Sequence, residues 1–437
     1  MTNVIILGLL LTLVHCTQEY EVIKPARERM LLTTDTLDFD TLLTSQVSAT
    51  KRIYLYNPHE HAIKIDKINQ KANSPVTIYI NGKKVEPNSQ YVVLGKDSVT
   101  LMASALFNNF SNKSTYYNEN LEIVTQSLPL HIHVKATVIN TATPIYNITQ
   151  NTTLDSALAY DIRQIITVNP GAVLTIQKGA HLYFKKNAGI LVLGTIHAVG
   201  DSGKRITFEG PNPDKYYEHL PAQWQGIMIG NNSTGNKIQF CDIKNGEYGA
   251  ICASTSELLL SHCRIHNMKS YGLFAENCNI TIYNCLIYNT QNAVVSITGA
   301  GKYIFTNNTL ANYTSFYGYT ITRTYPLFQA TNSADSKIFM TNNIIWGDRD
   351  NELIMTHYGK IEDISRNIIK SKNLTLTIDT SNYIDKDPIF INPGQGNFMT
   401  DTTGYGVDKG KTYIDYKDDL TGKTRTSAWD IGAYEAK

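Results

Sequence analysis

Three eight-residue stretches decide the fold: IQFCDIKN (Ile238–Asn245), LSHCRIHN (Leu260–Asn267) and IYNCLIYN (Ile282–Asn289). Cys241, Cys263 and Cys285 are each 22 residues apart, and so are Ile243, Ile265 and Ile287, and Asn245, Asn267 and Asn289. The block recurs with drift as FTNNTLAN, MTNNIIWG and SRNIIKS, where Asn307, Asn342 and Arg366 are read as holding the cysteine column. A fixed period in the low twenties with strand-like alternation marks a solenoid, here a parallel β-helix. Cysteine and isoleucine alternate, so both are expected to point into the core, each stacked about 4.8 Å from its equivalent on the next rung. The asparagines fall at a turn, where an amide ladder can run from rung to rung. Residues at odd offsets should face solvent. Asp242 then lies over Arg264 and Glu247 over Lys269, opposite-charge neighbours that contribute about a few tenths of a kcal/mol each.

The heptapeptide SHCRIHN (Ser261–Asn267) packs a cysteine, two histidines and an arginine together, which on its own suggests a metal or thiol site. The repeat gives it a structural meaning instead. Cys263 is one layer of an inward stack, and His262 and Arg264 point the other way, so the ligands a zinc ion needs diverge. A disulfide between Cys263 and Cys285 is not expected either, because stacked side chains in register rarely meet the required torsion.

Lys plus Arg number 39 against 38 for Asp plus Glu, a balance that removes the electrostatic case for nucleic-acid binding. Abundant Thr, Ile and Asn with 27 tyrosines suit pleated, half-buried surfaces, so a nearly all-β chain is expected. Residues 34–141 show short alternating runs (RIYLYN, VTIYI, YVVL, LEIVTQ, HIHVKATV) with an Asn-Gly hairpin turn at Asn81–Gly82, the pattern of a β-sandwich. His131 and His133 share one face of their strand and have no spaced Cys or carboxylate to complete a metal site.

Several segments resemble known families. The stretch LDFDTLLTSQVSATKRIYLYNPHEHAIKI resembles the opening of an Ig-like module of Gram-negative surface lipoproteins. ITVNPGAVLTIQKGAHLYFKKNAGILVLGTIHAVGDSGKRITFEG with QWQGIMI resembles the first coils of right-handed parallel β-helix proteins of the pectin-lyase-like superfamily. DPIFINPGQGNF through WDIGAYE resembles the closing segment of such surface proteins. The apolar run MTNVIILGLLLTLVH ending at Cys16 resembles a bacterial lipoprotein signal, with an ordinary secretory signal and an incidental cysteine as the alternative. Together these imply a signal peptide (1–15), a lipidated tether (16–33), an Ig-like β-sandwich (34–141), a right-handed parallel β-helix (145–400) and a closing segment (401–437). They further imply lipidation at Cys16 and residence at the outer membrane, exposed at the cell surface.

Function is expected where insertions interrupt the coils. PNPDKYYEHLPAQW (Pro211–Trp224) supplies Tyr216, Tyr217 and Trp224. The 35-residue gap from Asn307 to Asn342 adds a loop carrying Tyr313, Tyr317, Tyr319, Arg323 and Tyr325. Exposed rings can stack on sugars or anchor a partner, whereas buried ones only fasten the loops. The favoured reading is a non-catalytic binding or scaffold protein, taking a polysaccharide or serving an integral outer-membrane protein as accessory subunit, with an adhesin using the same surfaces as a further option. Enzymes of the resembled superfamily carry paired carboxylates or a basic residue with acids on the coils. The columns through Asp242 and Glu247 stack no second acid, and the least poor lyase set is Arg264 and Lys269 with Asp242 and Glu247. No cofactor or metal is expected. Triplets such as Asp35-Thr36-Leu37 and Asp97-Ser98-Val99 resemble an O-glycan acceptor pattern of some Gram-negative surface proteins.

Overall fold

Ile243, Ile265 and Ile287 stand in register on adjacent parallel strands, as do Asp242, Arg264 and Leu286. The computed structural model in which this is seen describes residues 29–126, 128–230, 232–331, 335–356, 360–374, 378–413, 415–426 and 428–436. The lipidation expected at Cys16 therefore lies outside the described residues. Repeating that register builds three parallel sheets of eleven, nine and nine strands, in which a strand pairs with the one three places on, or five where the second insertion adds a two-stranded hairpin, the last pair of the first sheet being adjacent in the chain. The chain thus climbs one rung for every three strands, which is a parallel β-helix. Its interior is a continuous column of Ile, Val, Leu, Phe and Cys side chains with almost no exposure.

From Phe240 onward the corner between the third and first sheets is tight and turns on one left-handed residue. Phe240, His262, Asn284, Asn307, Asn342 and Arg366 occupy it with φ of 49°, 52°, 52°, 53°, 58° and 53°. This left-handed conformation costs an L-residue roughly 1–2 kcal/mol, and Asn tolerates it best. It also sends the next residue's N–H toward the interior, where that group needs an acceptor. The neighbouring rung supplies one. Cys263 N donates to Cys285 Sγ at 3.4 Å and Cys285 N to Asn308 Oδ1 at 2.9 Å. Asn308 N donates to Asn343 Oδ1 at 3.0 Å, Asn343 N to Asn367 Oδ1 at 2.8 Å, and Asn367 N to Asn382 Oδ1 at 3.0 Å.

This corrects the expected alignment by one residue. Asn307, Asn342 and Arg366 continue the corner column of Phe240, and the cysteine column is continued by Asn308, Asn343 and Asn367. Counted through the quoted blocks, Leu310, Ile345 and Ile369 continue the Ile287 column and place Asn308, Asn343 and Asn367 beneath Cys285, as the strand register and the hydrogen bonds both show. The amide side chains are also fully used: Asn343 Nδ2 donates to Phe305 O at 2.9 Å and Asn367 Oδ1 at 2.9 Å. All five described cysteines are free thiols.

Odd offsets do not all face solvent. From Cys285 onward the outward side chains Leu286, Ala311, Ile344 and Trp346 are buried. The chain after Asp385 lies over them, bringing Phe390, Phe398, Leu420, Ile431 and Ala433. Arg425 fastens this closing segment with a guanidinium that meets Glu435 at 3.1 Å and the corner residue Asn284 at 3.0 Å. His262 is likewise buried and stacks on Phe240, with ring centroids 4.3 Å apart.

The N-terminal unit is a β-sandwich of two five-stranded antiparallel sheets. It comprises residues up to Asp40 with Gln46–Phe107 and Tyr116–Thr137, while Thr41–Ser45, Asn108–Thr115 and the chain from Val138 form the second unit. Alternation places Ile53, Leu55, Leu101, Leu121 and Ile132 inside. Asn81 and Gly82, at φ 48° and 80°, make the hairpin turn joining Val76–Ile80 to Lys83–Lys84. His131 and His133 lie on the exposed face.

The Asn column makes a stability test. Asn343→Ala strands the Asn308 N–H and the Phe305 carbonyl in a dry interior, where each unsatisfied group costs about 1–3 kcal/mol. A loss of about 2–5 kcal/mol is expected in urea denaturation, against a clearly smaller loss for Cys263→Ala. Equal losses would contradict the assignment of the column.

Candidate functional site

Two insertions and the closing segment converge beside the first sheet's turn asparagines. The loop Pro211–Trp224 contains one 3-10 turn, Lys215–Tyr217, capped by Asp214, whose carboxylate accepts from Tyr216 N at 2.8 Å. The coil holds this loop from below. Asn245 Nδ2 donates to the carbonyls of Glu218 and Leu220, both at 2.9 Å, and Asn267 Nδ2 reaches Glu218 O at 3.3 Å. The amide ladder expected at the turn exists as a bond from Asn289 Nδ2 to Asn267 Oδ1 at 2.5 Å.

The second insertion is a hairpin, Ser315–Phe316 paired with Tyr319–Thr320. Tyr317 and Gly318 form its turn at φ 48° and 80°. Its base is locked by Arg323, which makes a bidentate pair with Glu352 at 2.8 and 2.7 Å and also meets Asp348. Tyr317 N donates to Gly394 O at 2.8 Å, tying the tip to the closing segment. Gly396, at φ 71°, leaves room for the tyrosine, because a Cβ there would lie 2.4 Å from Tyr317 Oη.

The two loops meet ring on ring. His219 and Tyr317 stack with centroids 3.7 Å apart and planes 6° from parallel. Beneath this contact is a cleft of about 180 Å³ lined by His219, Leu220, Pro221, Asn267, Met268, Asn289, Gln291, Phe316, Tyr317, Tyr319, Thr320 and Ile321. Burial lowers the His219 imidazole against the opposing pull of Glu218, so the ring is mostly neutral at pH 7.

Of the expected aromatic ligands, Tyr317 and Tyr319 line this cleft. The others do not. Trp224 is fully buried, stacked on Phe184 at 4.3 Å, with its indole N–H donating to Lys244 O at 2.8 Å. Tyr313 packs on Phe316 and Phe398. Arg323 is a buried ion-pair anchor rather than a ligand group. Tyr216 is exposed, edge-on to a half-buried Tyr217, outside the lining. Tyr325 is exposed outside the lining as well. His219, Asn267, Asn289 and Gln291 were missed as site residues, although the asparagine period already marked their turn.

The basic and acidic candidates form two ion pairs. Arg264 lies 3.9 Å from Asp242, whose closer partner is Arg205 at 2.9 Å. Lys269 lies 3.6 Å from Glu247. A second charged cluster went unread because rung lengths vary upstream. Asp161, Tyr183 and Glu209 are successive outward residues of the first sheet. Glu209 is gripped by His181 and by Lys244 at 2.5 Å, and Asp161 by Arg163 at 2.8 Å. The two carboxylates, two rungs or roughly 9–10 Å apart along the sheet, approach the spacing of an inverting acid–base pair. Burial raises the Glu209 carboxyl, but the His181 hydrogen bond and the Lys244 charge outweigh it and hold it below its ordinary value. A general acid needs the opposite shift.

Residues 136–310 match the family model for a right handed beta helix region. No curated protein matches the chain. Among solved structures, the Agl-KA catalytic domain is similar at 11% identity over 76% of this chain and 68% of its own, with a TM-score of 0.31. The catalytic unit of the GH87 α-1,3-glucanase of Streptomyces thermodiastaticus strain HF3-3 is similar at 9% identity over 80% and 70%, TM-score 0.22. A PapD-like domain of human CEP192 is similar at 8% identity over 32% and 99%, TM-score 0.18. Scores this low say nothing about what this chain binds.

The depressed Glu209 carboxyl gives a pH test. Its folded value lies below the unfolded one, so its stabilisation is full above about pH 4.5 and is lost as pH falls through the folded value. Acid unfolding followed by near-UV circular dichroism should show this component, and Glu209→Gln should remove it. An unchanged acid limb in the variant would contradict the ion-pair reading.

Proposed function

We propose that this protein binds a saccharide in the cleft closed by His219 and Tyr317 and does not cleave it. The observation that supports this reading most is the pairing of aromatic faces with amide side chains in one preformed recess. Tyr317, Tyr319 and His219 offer rings, and Asn267, Asn289 and Gln291 offer groups that both donate and accept. A sugar ring presents the complementary combination, an apolar C–H face and a rim of hydroxyls. Recesses of this kind, with a few placed polar groups on an apolar lining, are the usual form of small-ligand sites. The ionised Glu209 and its saturated partners weigh against hydrolysis on the neighbouring sheet face.

The wider setting follows from the sequence. The apolar run closing on Cys16 supports a lipid tether at the outer membrane, and the N-terminal sandwich is read as an Ig-like module. Service as an accessory subunit of an outer-membrane protein is compatible with the same saccharide site. Cys16→Ser should move the protein from the membrane to the soluble fraction on cell fractionation. Retention in the membrane would contradict the lipid tether.

Binding itself is tested by calorimetry with an oligosaccharide chosen from a glycan array. Tyr319→Ala is expected to weaken affinity by about 1–3 kcal/mol, taking base–aromatic stacking as the guide. Tyr325→Ala, outside the cleft, should leave affinity unchanged. The reverse pattern would move the site to the Tyr325 side of the insertion.

A further inference from the structure

We infer that the cleft selects an uncharged saccharide and excludes uronates and other carboxylated sugars, an inference that rests on the saccharide-binding reading above. None of the twelve lining residues is Asp, Glu, Lys or Arg. Of the cations on these coils, Lys244 holds Glu209 at 2.5 Å and Lys269 holds Glu247 at 3.6 Å, while Arg264 shares Asp242, at 3.9 Å, with the closer Arg205. At the rim stands the Glu218 carboxylate, 3.9 Å from His219 Nε2, which opposes a second negative charge. His219, kept mostly neutral by burial, supplies no countercharge.

What the cleft does offer is neutral and unused. The Gln291 amide and the Tyr319 and Thr320 hydroxyls line it and make no side-chain hydrogen bond to any described residue. Amides and hydroxyls both donate and accept, matching sugar hydroxyls, whereas a desolvated carboxylate needs a paired cation to offset its lost hydration.

The test uses the full chain and an array of neutral oligosaccharides, each beside its counterpart oxidised to the uronate at C6. Neutral sugars should bind at least about tenfold more tightly than their uronates, and Tyr319→Ala should weaken the neutral sugars by the loss given above. Gln291→Lys places an ammonium in the cleft and should raise uronate affinity by about tenfold or more. Uronates that bind the native protein as tightly as neutral sugars, and are weakened by Tyr319→Ala, overturn the inference while leaving the saccharide site standing. If neither set binds, or if Tyr319→Ala leaves affinity unchanged, the site and the inference fall together.

Discussion

Each tight corner of the later coils must satisfy one backbone N–H that it points inward. The left-handed residue at His262, Asn284, Asn307, Asn342 and Arg366 makes a sharp bend, and the following N–H enters the core, where it meets a side-chain acceptor. An unpaired amide there costs as much as a lost hydrogen bond, and it would recur on each of these rungs. The chain answers with side-chain acceptors on the next rung, sulfur through Cys285 and amide oxygen from Asn308 onward. Cysteine and asparagine are thus chemically equivalent at this position although they look unrelated. The exchange has a direction: where the outer face is most heavily covered by the closing segment, the stronger amide acceptor is used.

The same economy of asparagine builds the site. On the opposite end of the first-sheet strand, Asn245, Asn267 and Asn289 sit at φ of 66°, 59° and 52° and leave their amides free to reach outward. Two of them grip the loop carrying His219, and two line the cleft. The scaffold's turn chemistry therefore positions the ligand-facing surface directly. The second wall depends on long-range partners: Arg323 on Glu352, and Tyr317 on Gly394 and Gly396. Rigid elements supply precision to groups that loops alone would hold loosely.

Much of this was legible in the sequence where the period was regular. The 22-residue columns gave the β-helix, the inward cysteines, the turn asparagines and the two charge pairs. At Asn307-Asn308 two like residues stand side by side, and the flanking Leu310 and Ile345, in register with Ile287, decide which of them continues the cysteine column. Legibility failed upstream because the outward column from Tyr183 to Glu209 to Lys244 steps by 26 and then 35 residues. It failed in the loops because exposure depends on partners far along the chain. Trp224 looks like a ligand platform until Phe184 lies against it, and Arg323 looks free until Glu352 meets it. An aromatic-rich insertion announces that rings matter but not which of them remain open.

The central claim is that the two loops and the turn asparagines form one binding surface. Hydrogen–deuterium exchange on the full chain, with and without a bound neutral oligosaccharide, tests it most directly. Slowed exchange confined to residues 215–221, 267–268, 289–291 and 315–321 is the expected result. Protection in the N-terminal sandwich, or along the second insertion beyond residue 324 with none at the His219 loop, would contradict it.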